Sequence, residues 1–212
     1  MKIVLNNKEF VLLYQKALYE PNEKLLVIAD VHLGKALHFR KQGIPLPAAA
    51  QQGDYAALRL LFETIKPEIV YFLGDLFHSA INNDWHSFCD LVNDFKQIRF
   101  VLVKGNHDLI DTNLFQQLCI TVVENIEEEY LIYSHEPLKK IPNGKINICG
   151  HIHPGIVLSG AGKQSIKLPC FYFLNQLFIL PAFGVLTGLY PLQKKNGAKI
   201  YGVLSDTVTQ VF

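Results

Sequence analysis

The chain has 212 residues, half of them hydrophobic, with 20 Lys and Arg against 19 Asp and Glu and a formal net charge of +1. That length and apolar content can bury a full core, and one domain over 1–212 is expected. The near-neutral balance excludes the global basic footprint of many nucleic-acid binders, so a bound polyanion would have to be held by local charge.

KIVL and FVLL flank the turn-prone Asn6 and Asn7 and read as a hairpin, after which ALYEPNEK leads into a first central strand, LLVIAD. GKALHFRKQGIPLP follows as a short basic helix or loop closed by two prolines. From Ala48 to about Ile65, the residues Ala56, Leu60, Leu61 and Ile65 recur at helical spacing, and Pro67 ends that helix before IVYFLGD. Asp84 can cap the next helix, whose core face is Trp85, Phe88, Leu91, Val92 and Phe95. RFVLVKG and a short helix, TNLFQQL, continue the alternation. Strand then follows strand: ITVVE, YLIYS, INICG, IVL, IKLPCFYFL, LFIL, AKIYGVL and TVTQVF. A βαβ first half before an all-β second half predicts an α/β fold of two packed sheets with helices outside.

No apolar stretch approaches the ~20 residues of a membrane span. MKIVLNNKEF turns polar too soon for a signal-peptide hydrophobic region, so a cytoplasmic location is expected. Cys89, Cys119, Cys149 and Cys170 are scattered with no C-x-x-C pair, which suits free buried thiols better than a disulfide framework or a zinc knuckle. The acidic run Glu124, Glu127, Glu128 and Glu129 reads as a solvated turn.

Five apolar runs of strand length stop at a residue able to bind a metal. LLVIAD-V-H, IVYFLGD, RFVLVKGNHD, YLIYSHE and INICGHIH deliver Asp30, His32, Asp75, Asn106, His135, His151 and His153. The carboxyl ends of neighbouring strands gather along one edge of an α/β sheet, so these residues can converge there. Two carboxylates, four imidazoles and an amide suggest two metal ions. Asp30 with His32, and His151 with His153, are two apart at a strand end, where side chains point the same way. Asp75 has two oxygens and can bridge, and Asn106 adds a neutral oxygen. Mixed imidazole and carboxylate ligands suit Mn²⁺, Zn²⁺ or Fe²⁺ better than Ca²⁺, and Mn²⁺ is the expected pair. Two divalent ions against two aspartates and a hydroxide leave the site positive and attractive to phosphate. Such a pair clamps the attacking and leaving oxygens of an in-line displacement at phosphorus.

D-V-H, G-D-L-F-H, G-N-H-D, a lone S-H-E and G-H-I-H, present in that order, resemble the motif set of the calcineurin-like metallophosphoesterases. The resemblance implies a four-layer αββα sandwich of two mixed β-sheets with outer helices, in which a metal-bridging hydroxide hydrolyses a phosphoester. It implies Asp30, His32 and His153 on one ion, Asn106, His135 and His151 on the other, and Asp75 bridging them. His107 would be the general acid or a phosphate contact, with Asp108 orienting it.

ADVHLGKALHFRKQGIPLP, GDLFHS, CGHIHPG, LPCFYF and LPAFGVLTG together are similar, over nearly the whole chain, to the ligase-associated DNA-damage-response metallophosphoesterases of the PdeM type. That likeness implies a DNA endonuclease of DNA repair, associated with a DNA ligase, an exonuclease and a helicase. G-D-L-F-H also resembles the SbcD-type repair nucleases, which would put His78 near the scissile phosphate; the plainer reading is a histidine that hydrogen-bonds a ligand. Lys35, Arg40 and Lys41, with His38 among them, follow the first motif, and Lys104, Lys139 and Lys140 follow others. These cations could line a groove for a phosphate backbone, although short charge clusters are more often solvated surface. His86, beside Trp85, reads as structural. The neutral balance and the lack of a helix-turn-helix or OB-like module keep a small-molecule phosphodiesterase or phosphomonoesterase as the alternative. A non-catalytic interaction module on the same fold would show lost ligands, and every one is retained.

Overall fold

The computed structural model describes residues 1–41, 43–44, 49–78, 83–160, 162 and 164–212, the side chains of 37, 38, 41, 49–52 and 83 excepted. β1 (Lys2–Leu5), β2 (Lys8–Leu13) and β3 (Ala17–Glu20) form an antiparallel meander that joins β4 (Leu25–Ala29). α1 (Lys35–Lys41) and α2 (Ala49–Ile65) lead to β5 (Ile69–Leu73), α3 (Asn83–Asp94) to β6 (Arg99–Val103), and α4 (Thr112–Gln117) to β7 (Thr121–Val123). β4 to β7 are parallel neighbours, which completes a mixed sheet running in sequence order from β1 to β7. Helical crossovers are what parallel pairing requires, and they fall where the 3.6-residue periodicity falls.

The second half supplies β8 (Ile126–Glu127), β9 (Leu131–Ser134), β10 (Ile146–Cys149), β11 (Pro154–Ser159), β12 (Ser165–Leu174), β13 (Leu177–Ile179), β14 (Tyr190–Pro191), β15 (Lys199–Val203) and β16 (Val208–Gln210). They form a second mixed sheet in the order β14-β11-β12-β13-β10-β9-β8, with β15 on β12 and β16 on β15. β9, β10 and β13 run parallel, whereas β11, β12 and β13 are antiparallel.

β4, β5 and β6 are apolar throughout because both their faces are covered. One face, with Leu26, Ile28, Phe72 and Leu102, packs on Leu58, Leu61 and Phe62 of α2, Phe88 and Leu91 of α3 and Phe115 of α4. The other, with Val27, Tyr71, Leu73 and Val101, meets Tyr133, Ile148, Phe171 and Phe178 of the second sheet. The sandwich of two mixed sheets therefore stands as expected. Among the described residues, α2, α3 and α4 lie on the first sheet and α1 lies against α2. The outer face of the second sheet, with Cys149, Ile156, Leu158, Leu168, Cys170 and Ile200, packs against Leu192 and Val211 from the segments after β14 and β16. No run after residue 120 keeps a helical period, so strands and loops are all that can cover it.

Some local expectations shift. The helix expected from Ala48 is described from Ala49, Ala48 lying outside the described residues. Leu60 points out at 61% exposure, the core face being one residue further round at Leu61. Asp84 sits within the first turn of α3, not before it. All four thiols are free, but Cys119 is exposed, since it occupies a left-handed position (φ +58°) just past α4. Glu127 and Glu128 are ion-paired, with Lys145 and Lys8. Among the described residues no helix is long and apolar enough to cross a membrane.

Candidate metal centre

Strand register fixes where the candidate ligands emerge. Ala29, Leu73 and Val103 end β4, β5 and β6 side by side, and Ser134 and Cys149 end β9 and β10 side by side. Asp30, Asp75, Asn106, His135 and His151 all follow within three residues of those ends. The two sheet edges are joined directly: His135 Nδ1–H donates to the Leu73 carbonyl at 3.0 Å, and the His151 N–H donates to Asp30 Oδ2 at 2.8 Å. At five of these positions the chain turns sharply. Asp30, His32, Asp75, His151 and His153 have φ between +48° and +67°, the left-handed region, which costs a residue with a Cβ ~1–2 kcal/mol. Concentrated strain of this kind marks functional sites.

The turns bring two triads together, Asp30 with His32 and His153, and Asp75 with His135 and His151. His32 Nε2 lies 3.4 Å from His153 Nε2, and His151 Nδ1 lies 3.1 Å from His135 Nε2. Asp30 Oδ1 is 3.5 Å from His153 Nε2, and Asn106 Oδ1 is 2.8 Å from His135 Nε2. Asp75 stands between the triads, with Oδ1 3.5 Å from His135 Nε2 and Oδ2 3.8 Å from His32 Nε2.

These spacings fit divalent ions. Ligand atoms ~2.1 Å from one ion stand roughly 3.0–3.4 Å apart at octahedral or tetrahedral angles. The Asp30 Oδ1 atom is buried and, among the described residues, has no hydrogen-bond donor. Because His135 Nδ1 is held as the donor to Leu73, Nε2 carries the free lone pair. Burial, then Lys35 and the neighbouring imidazoles, push the His32 pKa down to about 2, so its ring is neutral and able to ligate near pH 7. Two candidate metal-binding sites are therefore present, with Asp75 of the second reaching within 3.8 Å of His32 in the first, and the donor set suits borderline divalent ions.

His107 and His78 stand on the His32 side of the centre. The His32, His78 and His107 rings form a triangle with centroids 5.7, 5.9 and 6.0 Å apart. The His107 N–H donates to Asp75 Oδ1 at 2.9 Å, which fixes its backbone against the centre while its side chain is exposed. Asp108 was expected to orient His107. Its oxygens instead accept from the amides of Leu76, Phe77 and Gly105, so it ties the turn after β5 to the turn after β6. Burial raises its pKa, and those amides act the other way. Lys35 is half-buried close enough to feel both aspartates, and burial lowers its pKa. Arg40 Nε donates to the Ala36 carbonyl on its own helix. The side chains of Lys41 and His38 lie outside the described residues. Lys104 shares a polar groove with Asn106 and His135. Lys139 and Lys140 are exposed, as is His86 on α3.

Several contributors escape a residue-by-residue reading. A Cβ on Gly105 would overlap the backbone and carboxylate of Asp75, and one on Gly150 would overlap the Asp30 carboxylate. Both glycines lie inside the motifs, where only close approach of the backbone explains them. The Phe183 and Gly184 amides donate to the carbonyls of Ala29 and Asp30 at 2.9 and 3.1 Å, so the LPAFGVLTG segment braces the first ligand turn. That segment is held in turn by Lys16, which donates to the Phe183 carbonyl, and by buried Asp54, which accepts from the Val185 amide at 3.1 Å.

The model of the calcineurin-like phosphoesterase family matches residues 23–162, which span all the candidate ligands. Among solved structures, the chain is similar to Pseudomonas putida nuclease MPE at 28% identity and a TM-score of 0.80, covering 100% of this chain and 99% of that one. It is also similar to Yfce, a phosphoesterase from E. coli, at 14% identity and a TM-score of 0.46, covering 88% of this chain and 97% of that one. Comparison with curated proteins finds no match. With the family's pattern covering most of its length and two candidate metal sites where that pattern ends its strands, the chain belongs to the calcineurin-like phosphoesterase family.

Proposed function

We propose that this protein is a phosphodiesterase that depends on two divalent ions and cuts DNA. The observation that carries the proposal is Asp75, whose one oxygen faces His135 of its own triad and whose other faces His32 of the second, an arrangement that lets one carboxylate serve two ions. We assign Asp30, His32 and His153 to one ion and Asn106, His135 and His151 to the other. Bound there, the ions supply Lewis acidity toward the phosphoryl oxygens and a water acidic enough to attack phosphorus at neutral pH. The chain's own residues position the substrate and move its protons. His107, exposed beside His32, contacts the phosphate or gives the leaving oxygen its proton. His78 packs near His32 and His107 and steadies that edge, and Lys35 places a cation beside the two aspartates.

DNA as substrate is supported by the full-length likeness to a nuclease and by Lys35, Arg40 and Lys41 on the helix after the first ligand turn. Mn²⁺ as the metal rests on the mixed imidazole and carboxylate donors, and cytoplasmic location on the sequence alone, whereas a role in DNA repair and association with a DNA ligase, an exonuclease and a helicase rest on the sequence resemblance. The net charge of +1 favours a second reading, a small-molecule phosphodiesterase. Salt separates the two. DNA held beyond the scissile phosphate loses affinity with a log–log slope of about −0.7 to −0.9 per phosphate contacted. The expected result is Mn²⁺-dependent cutting of nicked or single-stranded DNA with a slope near −2 or steeper, flattened when Lys35, Arg40 and Lys41 are all changed to Ala. Hydrolysis of a chromogenic diester with no cutting of DNA would establish the second reading.

A further inference from the structure

A groove of about 480 Å³ opens beside the candidate metal centre and shares His151 with it as a wall. The remaining lining is mostly apolar or aromatic, including Ile152, Ile179, Leu192, Tyr172 and Tyr190, with Lys195 contributing a cation. His151 turns its Nδ1 toward His135 Nε2 at 3.1 Å, so one residue belongs to the centre and to the groove at once. A group in this groove is therefore within one side chain of a phosphate held at the centre. The groove that contains Asn106 and His135 is unlike it, being lined also by Lys104, Glu124 and Glu136. The two arms of a diester would thus meet different surroundings, one apolar and aromatic, the other charged.

Tyr190 is the distinctive element. The residue is 62% exposed, so core burial does not account for its placement. What fixes it is the main chain. The Tyr190 amide donates to the His153 carbonyl at 2.8 Å, Tyr190 pairs with Pro154, and the Leu192 amide donates to the Gly155 carbonyl at 2.9 Å. The segment carrying Tyr190 and Leu192 is thereby zipped onto the turn that carries His151 and His153. An exposed aromatic ring on a strand pinned to the turn of a phosphate site offers a stacking face to a planar group.

Resting on the phosphodiesterase reading, we propose that this groove is the subsite for the nucleobase on one arm of the substrate, stacked against Tyr190. Binding tests this on the Mn²⁺-loaded protein, by calorimetric titration with thymidine 5′-monophosphate and with methyl phosphate, which share the phosphate and differ in the base-bearing arm. Thymidine 5′-monophosphate should bind about tenfold or more tightly than methyl phosphate, the scale of one base–aromatic stack. Tyr190→Ala should remove that advantage and Tyr190→Phe should keep it. Equal affinities in the wild type, or an advantage that survives in Tyr190→Ala, would overturn the subsite. Hydrolysis of thymidylyl-thymidine by the same wild-type sample is scored separately. If the base advantage is present and Tyr190-dependent but the dinucleotide stays intact, the subsite stands and the phosphodiesterase reading falls.

Discussion

His107 and His153 illustrate two kinds of demand on single residues. His107 stands clear of both triads, 6.0 Å from the His32 ring, so its loss need not disturb the ligands. If it gives the leaving oxygen its proton, His107→Ala should retain its metals while turnover falls roughly 10²–10⁴-fold. The loss should be larger for a poor leaving group than for a nitrophenolate. Equal loss on both would assign it to phosphate positioning. His153 has a φ of +53°, so its side chain serves the site while its backbone opposes the fold. Comparing His153→Gly with His153→Ala isolates that cost, because both lose the imidazole and only one keeps a Cβ. In the metal-free protein the Gly variant should be more stable by about 1 kcal/mol, read from chemical denaturation. Equal stabilities would mean that the turn is not strained. The identities of these residues were legible in the sequence, since few side chains bind metals and five strand ends carried them. Their conformations were not: Asp and His do not announce a left-handed turn as glycine does. The role of Asp108 is not legible from sequence, because its neighbour there is His107, whereas its partners are amides at positions 76, 77 and 105.

At the scale of elements, continuous apolar runs of strand length located the central strands and helical spacing located α2 and α3, because those patterns are local. What joins the elements at the site is not local. Lys16, in the turn between β2 and β3, reaches the carbonyl of Phe183, and the segment there braces the turn that holds Asp30. No periodicity in the sequence pairs those positions. Burial lowers the Lys16 pKa from 10.5 to about 8, with Asp54 opposing the shift. The native state therefore gives up this proton before the unfolded chain does. Between pH 8 and 10.5 the unfolded chain holds more protons, so this group's contribution to stability rises with pH, and it is flat below about 8. Lys16→Met removes the titration. The wild-type stability minus that of Lys16→Met, from urea unfolding, should increase by about 2–3 kcal/mol between pH 7.5 and pH 10. A difference independent of pH would show that Lys16 is not desolvated.

Over the whole molecule, two sheets pack face to face so that the carboxyl ends of β4, β5 and β6 from one meet those of β9 and β10 from the other. The centre forms at that seam, where neither sheet alone holds a full set of donors: Asp30, His32, Asp75 and Asn106 come from the first, and His135, His151 and His153 from the second. This division was only partly readable from sequence. The order of motifs assigned ligands to strands, but the packing that presses the seam shut depends on residues such as Tyr133, Phe171 and Phe178, whose partners lie in the other half of the chain. Five left-handed residues at the seam together oppose folding by ~5–10 kcal/mol, comparable with the net stability of a domain, so the sheet cores must offset them. The central claim is that this seam binds two ions through Asp75. Anomalous diffraction at the manganese edge, from crystals grown with Mn²⁺, tests it most directly. It should show two peaks about 3.5–4 Å apart, each about 2 Å from an oxygen of Asp75, and Asp75→Asn should lose at least one of them. A single peak, or two peaks of which Asp75 touches one or neither, would contradict it.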